Sequence, residues 1–178
     1  MKSSRVIALS AISTAFTTIF LVIGNWFPTF SLSGAYMASL FMMIPLAKDT
    51  YKGAFLSYFA TVILTGVFSG FFTRWDALFP FAVFTGIHPI VNRFFTSKGY
   101  VDTVLKKVLF IIIKGIWFIG TLILTHFLFE IYTGEVEFIR KYIVPIMIVG
   151  GALVFPAYDF VMTRLQTLTV AIVNKFRL

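Results

Sequence analysis

Long apolar runs separated by short polar, basic or proline-bearing breaks dominate this chain. Six stand out: about Arg5 to Phe27, Ala35 to Ala47, Tyr51 to Phe72, Asp76 to Phe95, Val108 to Tyr132, and Tyr142 to Arg164. The last keeps apolar residues at helical spacing to about residue 175, as a helix end bending along a membrane surface would. A helix needs roughly 20 apolar residues to cross a bilayer. The second run is shorter and holds Pro45, which predicts a kink or a steep tilt. Open sheets cannot satisfy their backbone groups in lipid, so the pattern predicts an all-α bundle of six transmembrane helices forming one integral membrane domain. The basic, apolar start has the layout of a signal peptide, but its apolar part is long and no small-residue cleavage site follows. It is expected to be a retained first helix.

Composition sharpens this class. Of the 178 residues, 59% are hydrophobic and 12% charged, against about 25% charged in ordinary soluble domains. Lys and Arg assign the orientation. With a cytoplasmic N-terminus, eleven basic residues fall inside, Arg74, Arg140 and Lys141 fall outside, and Lys114 is embedded, so both termini are expected in the cytoplasm. Topology therefore accounts for the net charge of +8, and no nucleic-acid partner is expected. The chain has no cysteine, which excludes disulfides, thiolate metal sites and cysteine nucleophiles.

Lys114 lies within the apolar run VLFIIIKGIWFIGTLILTHFLF. A lysine in a membrane helix persists only where it snorkels, pairs or lines a polar cavity. It lies seven positions from Lys107, while His88 lies five from Arg93 and Asp159 five from Arg164. A rise of about 1.5 Å per residue puts all three at similar depth, with Asp159 as counter-ion and His88 as a polar neighbour. One reading is a buried cluster that fixes helix packing; the other is a gating or substrate-linked switch. The stretch GIHPIV predicts a kink in the fourth helix at Pro89, eased by Gly86. His88 and His126 fall toward opposite faces, so no metal site is expected.

The predicted outer face gathers Asn25, Trp26, Arg74, Trp75, Asp76, His126 and Glu130, with Glu135 and Glu137 nearby. Aromatic residues at that level serve as interfacial anchors. The same residues suit a pocket in which a ring-bearing solute stacks on Trp26 or Trp75 while Arg74, His126 or Glu130 fixes its polar groups. Ala8, Ala11 and Ala15 on the first helix, and Gly66 and Gly70 on the third, have the spacing that lets helices approach closely. No HExxH, GxSxG or Walker loop occurs, so no enzyme activity is expected, and ATP hydrolysis would need separate subunits.

Six short helices with both ends cytoplasmic, a basic start followed by ALSAISTA, and a partly polar first outer loop resemble the S components of energy-coupling factor transporters. The resemblance covers nearly the whole chain and is architectural, with the alanine pair its one motif-like element. It implies docking of Ala11 and Ala15 on a transmembrane coupling protein driven by two cytoplasmic ATPases. It also implies capture of a vitamin-like solute from the outer side, toppling of the subunit to deliver it, and a bacterial plasma-membrane location. The ligand-contact motifs of the riboflavin, thiamin, biotin and folate types are not matched, nor is the N-terminal metal-binding histidine motif of the nickel and cobalt members. Two other classes fit the residues: a scaffold or accessory subunit of a larger membrane complex, and a proton-coupled carrier using Lys114, Asp159 and His88.

Overall fold

The computed structural model describes residues 2–129 and 137–175. Among them are helices and turns only: α1 (Lys2–Trp26), a 3-10 turn (Pro28–Phe30), α2 (Ser31–Phe41), α3 (Met43–Leu46), α4 (Tyr51–Phe68), α5 (Leu78–Pro80), a π turn (Phe81–Thr85), α6 (His88–Ser97), α7 (Val104–Phe129) and α8 (Glu137–Lys175). Five helical stretches are long and apolar enough to cross a membrane: Ser4–Trp26, Pro28–Leu46, Tyr51–Phe68, Val104–Phe129 and Lys141–Val173. Large apolar side chains stay uncovered along them, among them Phe59, Val104, Leu105 and Leu153. Such continuous apolar exposure belongs to a lipid-facing surface rather than a watery one.

The chain forms two compact units, Met1–Phe94 with Met162–Leu178, and Phe95–Val161. In the first, small and hydroxylated residues let helices approach closely. A Cβ at Gly34 would sit 2.7 Å from the Phe20 carbonyl, and one at Gly53 would sit 2.7 Å from Ser10 Oγ. Ser57, Thr61, Thr65 and Ser69 continue the Gly53 stripe at four-residue intervals, all buried. Ala8, Ala11 and Ala15 lie on the exposed side of α1, so packing within this unit uses the serine, threonine and glycine face of α1 instead.

Two predicted helices differ in shape. The second begins at Pro28, because Ser31 and Gly34, polar or small enough to suggest a loop, are interior contacts. Pro45 has no N–H to offer the Phe41 carbonyl, α2 ends at Phe41, and the Ser13 hydroxyl donates to that carbonyl at 2.9 Å. The fourth run is a broken helix rather than one continuous rod over 76–95. Gly86 N–H reaches back to the Phe81 carbonyl, the Phe81 ring occupies the space a Cβ at Gly86 would need, and Pro89 cannot donate to the turn before it. The Ala82 carbonyl within the π turn accepts the Tyr58 hydroxyl at 2.6 Å.

In the second unit, α7 and the Glu137-to-Val161 part of α8 run antiparallel: Gly115 and Phe118 face Phe155, and Ile119 faces Gly151. Tyr142 has non-helical angles (φ −112°, ψ 17°), and Pro145 and Pro156 lie farther along. Helix α8 continues through Arg164 to Lys175.

Candidate functional site

Three polar constellations stand out, two in the first unit and one in the second. The first lies where α1 ends. Asn25 is fully buried, and its side-chain oxygen accepts the backbone N–H groups of Ala77 (2.7 Å) and Leu78 (3.1 Å). Its amide donates to Ser69 Oγ at 2.8 Å. One side chain thus ties the end of α1 to the end of α4 and the start of α5. The loop it secures is left-handed at Gly70 (φ 79°), Phe71 (φ 52°) and Phe72 (φ 64°), and bulky residues rarely adopt such angles. Phe72 N–H bonds to the Gly66 carbonyl at 2.7 Å, and the Phe72 ring fills the space beside Gly66. Phe71 is 81% exposed.

Trp26 and Arg74 are neighbours above this clip. The guanidinium carbon lies 4.4 Å from the Trp26 ring centroid, and the indole N–H donates to the Phe68 carbonyl at 3.4 Å. Stacking of this kind engages the face of the guanidinium and leaves its N–H edge for an anion. Trp75 donates its indole N–H to the Phe72 carbonyl at 2.6 Å, and Asp76 is half-buried beside it. The structure therefore groups Asn25, Trp26, Arg74, Trp75 and Asp76 at one end of the first unit. His126, half-buried near the end of α7, belongs to the second unit, and Glu130 lies outside the described residues.

The opposite end of the first unit carries an ion pair absent from the sequence reading, Arg93 Nε to Asp49 Oδ1 at 2.8 Å. Above it, Asn92 donates to Thr163 Oγ1 (3.2 Å) and Gln166 Oε1 (3.0 Å), and Gln166 donates to the Pro89 carbonyl (2.9 Å). Polar side chains inside apolar runs were the available signal for this network. His88 is fully buried in this unit with its ring 5.2 Å from that of Phe84.

In the second unit, Lys114 Nζ donates to Asp159 Oδ1 as a buried ion pair, the two residues being 2% and 7% exposed. The ammonium also lies 4.5 Å from the Phe110 ring centroid. Phe118, Phe155 and Tyr158 form an aromatic group on the same pair of helices. Lys114 gains its counter-ion and a π face where water is excluded, which answers why an amine is held in so apolar a helix.

No family model, curated protein or solved structure matches the chain.

Proposed function

We propose that this protein is the solute-binding subunit of a membrane uptake system, a six-pass bundle with both termini in the cytoplasm, capturing a small ring-bearing solute at the Trp26 end of α1. The observation that carries this reading is the Trp26 and Arg74 stack on a loop secured by Asn25. Two indole rings, a guanidinium and a carboxylate (Trp26, Trp75, Arg74, Asp76) supply stacking surface and charge for a flat polar molecule. His126 and Glu130 are proposed as further contacts.

The proposed partners are a transmembrane coupling protein and two ATPases. Supporting this, Ala11 and Ala15 lie on the exposed side of α1, one helical turn apart, where another helix can approach closely. Energy for uptake then comes from outside this chain.

The test has two arms. Small molecules carried through purification are identified by mass spectrometry, and the identified compound is expected to quench tryptophan fluorescence in the wild type and to lose binding in Trp26→Ala. Ala11→Trp is expected to abolish co-purification with ATPase subunits while leaving solute binding intact. Absence of any retained solute, with stable association with an unrelated membrane complex, sinks the reading in favour of an accessory subunit. The buried Lys114 and Asp159 pair favours one further reading, a proton-coupled carrier, in which uptake collapses with an uncoupler and is indifferent to ATP depletion.

A further inference from the structure

An open apolar groove of about 540 Å³ runs between α1 and α4, lined by Ala15, Thr18, Ile19, Val22, Leu64 and Phe68. Three features of its surroundings specify an occupant. First, the groove walls are almost wholly hydrocarbon, and the hydroxyl oxygen of Thr18 is itself buried, so the groove offers nothing to a polar guest. Second, Ile19, Val22 and Trp26 lie on one stripe of α1, and the Trp26 indole bonds to the carbonyl of Phe68, a wall residue, so Trp26 stands beside the Phe68 end of the groove. From Ala15 to Trp26 the helix rises about 16 Å, close to half of a hydrocarbon core about 30 Å thick. The groove and the indole beyond it together span about one leaflet, with the indole at the level where tryptophan anchors to headgroups. Third, Arg74 stacks on that indole, is exposed, and makes no hydrogen bond from its guanidinium among the described residues.

We infer that this flank is a phospholipid site, in which one acyl chain lies in the α1 and α4 groove and the lipid phosphate takes the N–H edge of Arg74. The guanidinium matches phosphate oxygens in a bidentate fork, and its stacked position on Trp26 holds the fork in place before the lipid arrives. A partner helix would also fill the groove, but headgroup phosphate is the anion that the bilayer itself supplies at the level of Trp26. The lipid site shares Trp26 and Arg74 with the proposed solute site and Ala15 with the proposed partner contact, and is told apart from both by labelling along the α1 and α4 groove.

The experiment uses the full-length chain purified in a maltoside detergent, which contains no phosphate. A phosphatidylglycerol with a diazirine on one acyl chain is compared with a diacylglycerol carrying the same chain. The phospholipid is expected to label peptides holding Ala15 to Ile23 and Leu64 to Phe68 about tenfold more strongly than the diacylglycerol, the worth of one charge-assisted phosphate contact. Arg74→Gln, a change at an exposed side chain, is expected to erase that preference without altering the melting temperature. Val22→Trp, which fills the groove, is expected to remove labelling by both lipids, and added inorganic phosphate is expected to compete poorly. Equal labelling by the two lipids, labelling spread evenly over α7 and α8, or a preference that survives Arg74→Gln would overturn the assignment. So would full competition by inorganic phosphate, or protection of the groove by a co-purified membrane helix. The labelling is read on the chain purified without partners, so failure of the solute test leaves the lipid preference and its loss in Arg74→Gln as they stand.

Discussion

Asn25 makes its hydrogen bonds within the protein, to Ser69, Ala77 and Leu78. Asn25→Leu leaves two buried backbone N–H groups without an acceptor and is expected to cost about 1–3 kcal/mol, read as an earlier unfolding midpoint in a denaturing detergent titration. Lys114 and Asp159 give a sharper test. Lys114→Met strands a buried carboxylate and is expected to cost about 3–5 kcal/mol, whereas Lys114→Met combined with Asp159→Leu removes both charges and is expected to recover most of that loss. Recovery of stability without recovery of the proposed uptake would assign the pair a transport role. Equal recovery of both would make it a packing device. Counted from Lys107 and Arg164, these two residues fall at one level, and Lys114 Nζ donates to Asp159 Oδ1. Asn25 was legible only as a polar residue near an outer turn, because its partners lie 44 to 53 positions away and two of them are backbone N–H groups with no sequence signature.

Helix elements differ in how much of their shape the pattern carries. Long apolar runs such as α1 and α7 announce themselves, since lipid rewards any long apolar helix, even one that holds Lys114. The start of the second span was hidden because Ser31 and Gly34 read as loop residues, yet close packing on α1 needs small side chains there. Gly34→Ala puts a methyl group 2.7 Å from the Phe20 carbonyl and is expected to destabilise by roughly 1–3 kcal/mol. Gly120→Ala, with nothing within 4 Å, is the matched control and is expected to be neutral or slightly stabilising in the same thermal assay. The break in the fourth run was announced by Gly86 and Pro89, but the π turn before it depends on how Phe81 and Tyr58 pack, which no local pattern encodes.

At the scale of the molecule, the first unit has two chemically distinct ends. One holds Asn25, Trp26, Arg74 and Trp75; the other holds Asp49, Arg93 and the basic residues Lys48 and Lys52. Basic residues favour the cytoplasmic side, so the proposed function requires the aromatic end to open outward. The natural absence of cysteine makes this directly measurable with single-cysteine variants and a membrane-impermeant maleimide on intact cells. Phe71→Cys, at an 81% exposed position of the aromatic loop, is predicted to react from outside, and Lys48→Cys only after permeabilisation. Reaction of both from the same side, or of Lys48→Cys alone in intact cells, would contradict the account.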